Sequence, residues 1–288
     1  MDWNSPAPAK VNLSLNIIGR RGDGYHDLIS FAAFTSYADQ LTVSDDRPTG
    51  LTISGPFAAG LKKNLQDNLI NKTRSAVLTA GFQPKPHHIH LEKYIPVGGG
   101  LGGGSSDVAA YLRCLADMME LSPSEKHRLF CLASDIGADV PVCLRPGYQI
   151  MQGDGTDVRP AKIKEGVLYC ALANPGNPVP TARVFGALHQ EGYTSNLIPF
   201  PEQETVQLRD VLALGNDLCE PAIQFCPQIA TLLHRMESSS VAKRLLGVGM
   251  SGSGASCFAL STSQNIVRQL CEELNACGFW AVPTSLIE

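Results

Sequence analysis

Hydrophobic and polar positions alternate most cleanly near the start of the chain. In KVNLSLNII, residues 10–18, Val11, Leu13, Leu15 and Ile17 fall on one face and Lys10, Asn12, Ser14 and Asn16 on the other. That period of two predicts a half-buried strand. The turn RRGDGYHD follows, then an apolar run, ISFAAFTSYA, and a further strand at QLTVS. Residues 67–80, DNLINKTRSAVLTA, change to helical spacing at Leu69, Ile70, Val77 and Leu78, with Asp67 as N-cap. HHIHLEKYIPV alternates again and predicts a strand running into PVGGGLGGGSSD, residues 96–107. Beyond it, Val108, Leu112, Leu115 and Met119 make the apolar stripe of a helix capped by Ser105 or Ser106. Ser122-Pro-Ser-Glu125 is a capping box that opens the next helix, through about Ala133.

The second half is less regular. RPGYQIMQGDGTDVRP, residues 145–160, is rich in turn residues and offers a domain boundary. GVLYCALANPG predicts a buried strand, residues 203–236 are mostly helical, and LLGVGMSGSGASCFALS is strand, loop, strand. NIVRQLCEELNACG is a helix with a glycine stop, and FWAVPTSLI is a closing strand. Residues 186–209 have no assignment beyond a surface excursion. Short strands and helices are mixed without a regular βαβ repeat, which predicts an α/β chain of the α+β kind.

Composition narrows the function classes. The 288 residues are 44% hydrophobic and 17% charged, enough for a full core. The net charge of −4, with no stripe of Lys and Arg, argues against nucleic acid or an anionic membrane surface as partner. The nine Cys are scattered, form no CxxC, and mostly lie in apolar stretches such as VPVCL. They read as buried thiols in a reducing compartment, and MDWNSPAPAK does not read as a signal peptide. The expected location is cytoplasmic.

Six of the twelve residues in PVGGGLGGGSSD are glycine, and each costs conformational entropy on folding. A bare backbone between a strand and a helix exposes N–H groups at the positive end of a helix dipole, which suits a phosphate. Gly98 to Gly103 do match G-x-G-x-x-G, but the acid expected after the next strand is missing, since Glu120 lies at the end of the helix. A Walker loop needs Gly-Lys-Ser/Thr, and no Lys is present; the HRD and DFG elements of protein kinases are also absent. A second glycine loop, GMSGSG at residues 249–254, points to a polyphosphate ligand or two loops around one transfer site.

PAKVNLSLNIIGRRGDGYH, IPVGGGLGGGSSD and GMSGSGASCFAL, in this order, resemble the three motifs of the small-molecule kinases named for galactose, homoserine, mevalonate and phosphomevalonate. The doubled glycine triplet, GDGYH, DNLI, GADVPV and PTARVF resemble the branch whose acceptor is a cytidyl diphosphate sugar alcohol. The resemblance implies a two-domain small-molecule kinase fold. Its N-terminal nucleotide domain, like one of a ribosomal protein, spans residues 1–158, and a C-terminal ferredoxin-like domain on the substrate side spans 159–288, with the active site between them. It implies phosphorylation of a tertiary hydroxyl by ATP with Mg²⁺, on the non-mevalonate route to isoprenoids, by a monomer or weak homodimer.

The resemblance also assigns residues. Asp139, in GADVPV, falls on the family's catalytic Asp, and Asp135, the competing acid, is read as solvated or structural. Lys10 falls on the partner Lys, which would keep that carboxylate ionised and bear on the transferring phosphate. Asn12, Tyr25, His26, Thr181 and Phe185 match substrate contacts, with Tyr25 and Phe185 sandwiching cytosine and His26 bonding its edge. For ATP, Asn68 and Lys93 lie near the adenosine. Pro96, Gly98, Gly99, Gly100, Leu101, Gly102, Gly103, Gly104, Ser105 and Ser106 wrap the phosphates, and Gly252 and Gly254 buttress them. No all-protein metal cage is read, and His87, His88 and His90 are set aside, because only His88 and His90 share a strand face.

Overall fold

The computed structural model describes residues 1–22, 24–61, 65, 67–188 and 205–288. Two strands open it, β1 (Asp2–Arg20) and β2 (His26–Ser44), and they pair with each other. The alternation at residues 10–18 is thus the middle of a 19-residue strand, and both of its faces are buried. Lys10 and Asn12, expected as site residues, and Ser14 and Asn16 on the same polar face are all buried. A turn at residues 214–217 lies along residues 15–17: Leu15 N–H donates to Gly215 O, Asp217 N–H to Leu15 O, and Ile17 N–H to the Asp217 carboxylate. The apolar run and QLTVS, expected as separate elements, form one strand, β2, which changes partners along its length.

The chain folds into two compact units that interleave. The first comprises residues 1–9, 37–97 and 102–145. Within it, β3 (Gly50–Ser54), which sequence patterning missed, precedes α1 (Leu69–Thr79) and β4 (His88–Glu92). β4 pairs in parallel with β3 and antiparallel with residues 40–44 of β2. α1 is capped by Asn68, whose Oδ1 accepts from Ile70 N–H at 2.9 Å, rather than by Asp67. α2 (Gly103–Met118) is followed by α3 (Pro123–Phe130), α4 (Ala133–Ile136) and α5 (Val140–Cys143). The capping box at Ser122 and Glu125 is present. Ser105 and Ser106 do not cap α2, because the helix begins at Gly103 with Gly102 as N-cap, and Ser106 Oγ instead donates to Pro8 O.

β4 stops short of the glycine loop because Asp39 captures the chain. Its Oδ1 accepts from both Tyr94 N–H and Ile95 N–H, turning the link out of the sheet. The other Asp39 oxygen accepts from Lys93 Nζ at 2.5 Å, and Asp107 of α2 accepts from the same ammonium at 2.7 Å. All three side chains are at most 5% exposed, so two carboxylates share one cation in the interior. Burial pulls the Lys93 pKa down, but Asp107 and Asp39 outweigh it and hold the ammonium protonated. Burial pushes the Asp107 carboxyl up to about 7, against the pull of Lys93 and with the Asp39 charge adding to it.

The second unit comprises residues 10–36, 98–101 and 146–288. Its elements are β5 (Gln149–Gly153), β6 (Asp157–Pro160), β7 (Lys162–Ile163), β8 (Tyr169–Asn174), α6 (Thr181–Gly186), β9 (Thr205–Val206) and α7 (Leu208–Ala213). Then come α8 (Cys219–Phe225), α9 (Gln228–Glu237), β10 (Gly247–Met250), β11 (Cys257–Ser261), α10 (Gln264–Ala276) and β12 (Trp280–Ile287). β10, β11, β8 and β12 form an antiparallel run in that order, and β12 continues onto Phe34 and Thr35 of β2. Ile229, Leu232, Val267 and Leu270 belong to the buried cluster of this unit. Within the excursion expected at 186–209, residues 189–204 lie outside the described ones. All nine thiols are free, but Cys131 and Cys277 are exposed, contrary to the buried reading. Among the described residues no helix is long and apolar enough to cross a membrane.

The Asp39–Lys93–Asp107 cluster generates an expected result. Asp39→Ala orphans two backbone donors and half the cation's partners, and should cost about 3–5 kcal/mol of stability in urea unfolding. Asp107→Asn keeps an acceptor for Lys93 but removes the surplus buried charge. The wild-type Asp107 binds its proton more tightly folded than unfolded, so its contribution is lost as pH rises from the ordinary 3.8 through about 7. The Asn variant lacks that loss, and its stability should gain on wild type between pH 5 and about pH 8, measured by unfolding at both.

Candidate functional site

Three segments distant in sequence meet within the second unit. Lys10 N–H donates to Leu101 O at 2.9 Å, which ties β1 to the first glycine loop. Asn12 N–H donates to Ser251 Oγ at 3.1 Å, and that hydroxyl donates onward to Gly100 O at 2.9 Å. Ser256 N–H donates to Gly99 O, and Ser251 N–H to Ser256 O, both at 2.9 Å. The two glycine loops are therefore locked to each other and to the strand that carries Lys10 and Asn12.

Gly100 shows why this backbone is bare. Its φ is +76°, and a Cβ there would sit on the Ser251 carbonyl oxygen and 2.8 Å from that of Gly254. Gly252, at φ +56°, faces the same contact from the other loop, with a Cβ position 3.0 Å from Gly100 O and 3.5 Å from Asn12 Oδ1. That Asn12 oxygen is buried and accepts no hydrogen bond, although its amide donates to Ser30 Oγ at 2.7 Å. An orphaned acceptor in the interior is costly unless a ligand or water donates to it.

The rest of the loop belongs to the first unit. Gly102, in the left-handed region at φ 62°, turns the chain into α2 with no side-chain cap. The first-turn N–H groups of that helix are left without intrahelical partners, a geometry that holds an anion. Asn68 caps α1, Pro96 is buried, and the Lys93 ammonium is held by its two carboxylates. Asp139 also lies in the first unit, partly exposed at the N-cap of α5, while Asp135 is exposed in α4.

The expected acceptor contacts fall in the second unit. The His26 and Phe185 rings are 5.3 Å apart and tilted by 37°. Burial, and then the charge of Arg20, lower the His26 pKa below 6.5 and favour the neutral ring. Tyr25 presents its ring to solvent at 64% exposure. Thr181 Oγ1 and Ser253 Oγ lie 2.8 Å apart, joining α6 to the third motif. Asp23, of the GDGYH stretch, is outside the described residues. His88 and His90 spend their ring nitrogens on Thr52, Ser54 and Pro48 O, and His87 bonds Tyr111 at 2.8 Å.

Sequence reasoning missed several residues that build this site. Ser251 bridges Asn12 and Gly100 through its hydroxyl. Asn174 Nδ2 donates to Ser256 Oγ at 2.8 Å, and Asn216 donates to carbonyls on either side of Ser251. Asn174 and Asn216 border the glycine loops in space and not in sequence, so no spacing pattern marks them.

The Gly100 contact yields a paired test. Gly100→Ala combines a strained φ with a backbone collision and should cost about 2–5 kcal/mol of stability, with nucleotide binding lost. Gly98→Ala has a similar φ of +66° but would meet only the Pro178 side chain, at 3.5 Å, and should cost only about 1 kcal/mol. Thermal unfolding and titration with ATP check both.

Comparisons with known proteins agree with this geometry. Residues 68–147 match the model of the GHMP kinases N terminal domain, and residues 203–278 match that of the GHMP kinases C terminal domain. The chain is 40% identical to the 4-diphosphocytidyl-2-C-methyl-D-erythritol kinase of Methylobacterium radiotolerans, over 97% of each chain. A crystal structure of 4-(cytidine 5'-diphospho)-2C-methyl-D-erythritol kinase superposes with a TM-score of 0.79 at 34% identity, covering 99% of this chain and 100% of that one. Homoserine kinase from Cytophaga hutchinsonii shares the fold, with a TM-score of 0.67 at 18% identity over 98% of this chain and 93% of that one. The chain thus belongs to the GHMP kinase family of ATP-dependent small-molecule kinases, within its branch of 4-diphosphocytidyl-2-C-methyl-D-erythritol kinases.

Proposed function

We propose that the chain transfers the γ-phosphoryl group of ATP to the C2 hydroxyl of 4-diphosphocytidyl-2-C-methyl-D-erythritol, giving the 2-phosphate and ADP on the non-mevalonate isoprenoid route. The observation that carries this reading is the His26–Phe185 ring pair, beside the exposed Tyr25. Acceptors such as homoserine and mevalonate have no base to stack there, whereas cytosine offers both a ring face and a polar edge. A neutral His26 can donate or accept at that edge.

Roles follow from chemistry. Gly98 to Ser106 receive the ATP phosphates, supported by Gly252 and Gly254, and the orphaned Asn12 Oδ1 accepts from a hydroxyl of the acceptor. The C2 oxygen attacks the γ-phosphorus, the bond to the bridging oxygen of ADP breaks, and the hydroxyl proton passes to Asp139. Lys10 offsets charge on the transferring group. Asn68 and Lys93 border the adenosine, Lys93 through the backbone it anchors rather than its occupied ammonium. Thr181 and Phe185 face the acceptor. Mg²⁺ would be held with the ATP phosphates received by Gly98 to Ser106 and would offset charge on the transferring group. Among the described residues there is no group of three or more His, Cys, Asp or Glu that could hold a metal ion.

We further assign nucleotide binding to residues 1–158 and the acceptor side to 159–288, as a division of roles; the compact units cut the chain at other places. A cytoplasmic monomer or weak dimer completes the reading.

The first test follows ADP release with ATP, Mg²⁺ and each of three acceptors: the cytidyl compound, homoserine and mevalonate. Turnover is expected with the cytidyl compound alone, and Asp139→Asn should lower kcat by about 10²–10⁴. Turnover with homoserine or mevalonate instead would overturn the cytosine assignment. The KM for the cytidyl acceptor should be flat above pH 6.5 and rise below the lowered pKa of His26, as its ring gains a proton. In His26→Gln that acid rise should disappear.

A further inference from the structure

The loop of residues 214–217 holds both sides of the glycine-loop knot. Asn216 Nδ2 donates to Met250 O and to Gly252 O, each at 2.8 Å, and its Oδ1 accepts from Leu218 N–H at 2.9 Å. All hydrogen-bonding capacity of its amide group except one acceptor lone pair is thus engaged. Its neighbour Asp217 grips β1, taking Ile17 N–H at 2.7 Å and Asn16 Nδ2 at 3.3 Å. Two adjacent side chains therefore set the third motif against the strand that bears Lys10 and Asn12.

The geometry has a direction. In a trans peptide the C=O and the N–H point opposite ways. Anchoring Gly252 O on Asn216 turns the N–H of Ser253 away from Asn216. Among the described residues, the N–H groups of Gly252 and Ser253 donate to no acceptor. Gly252 itself lies against Gly100 O and Asn12 Oδ1. Successive free N–H groups beside a glycine loop form an anion-binding concavity.

We infer that Asn216 is a positioning residue for phosphoryl transfer, holding the Gly252–Ser253 peptide so that the N–H groups of Gly252 and Ser253 meet the oxygens of the transferring phosphate. The inference rests on the kinase reading above and adds a residue to it. Asn216 touches no substrate; it acts through the peptide it anchors. A carboxylate at this position would keep the bond to Leu218 but place negative charge against two carbonyl oxygens.

The experiment compares Asn216→Asp and Asn216→Ala with Asn275→Ala. Asn275 makes a like amide clamp, donating to Ala281 O and accepting from Ala281 N–H, outside the transfer machinery. Steady-state kinetics run well below each variant's melting temperature. Both Asn216 variants are expected to lower kcat about 100-fold, the scale of a small misplacement of reacting groups, with KM for ATP within about threefold. Asn275→Ala should lose stability without that fall in kcat. Amide hydrogen exchange without acceptor gives the second readout: peptide 250–256 should exchange faster in both Asn216 variants. A kcat fall matched by Asn275→Ala at equal loss of stability, or a rise in KM for ATP with kcat unchanged, would overturn the inference. Should the wild type fail to phosphorylate the cytidyl acceptor, the exchange arm still decides: unchanged protection of 250–256 in Asn216→Ala sinks the clamp, whatever the acceptor.

Discussion

Backbone packed directly on backbone at Gly100 is the constraint on which the rest depends. The peptide carbonyls of Ser251 and Gly254 occupy the space a side chain would need. This approach lets Ser251 reach both Gly100 and Asn12, and lets Ser256 reach Gly99. Close contact of two loops leaves little room for water, and every polar group brought inside must find a partner. Asn174 and Asn216 meet that demand from the side, and the glycines that opened the question are what made the contact sterically possible.

The first unit solves a related problem with charge. Its glycine-loop segment, Gly102 to Ser106, starts a helix whose N-terminus attracts anions, yet that helix also buries Asp107. Lys93 answers the negative charge, and Asp39 answers the lysine while fixing the backbone of Tyr94 and Ile95. A buried ion pair of this kind is weak evidence for stability but strong evidence for a defined geometry, since each member fails without the others. The link between β4 and the first glycine loop is held by one aspartate.

Much of this was legible before the structure, and the misses have physical causes. The strands at β1, β8 and β12 and the helix α10 announced themselves through periodicity, because one-sided burial leaves that trace. The polar face of β1 misled, since alternation marks which residues differ and not whether a loop later covers them. Asp67 and Ser105 are plausible caps by type, but Asn68 and Gly102 won on local geometry. The glycine motifs flagged the site because they satisfy a local backbone demand. Asp39, Asn174 and Asn216 went unseen, because the partners that matter lie 34 to 82 residues away and no short pattern encodes such a bond.

The place of β12 bears on when the protein becomes whole. This strand lies between β8 and β2, pairing Ala281 with Ala173 and Leu286 with Thr35. A chain emerging from a ribosome presents residues near 35 long before those near 286, so this part of β2 waits with an unpaired edge until β12 is made. The same holds for Gly99 and Gly100, which await Ser251 and Ser256. The first glycine loop thus gains these neighbours only after residues near 256 are made, and the nascent chain carries an open strand edge, the feature most prone to wrong pairing, until β12 arrives.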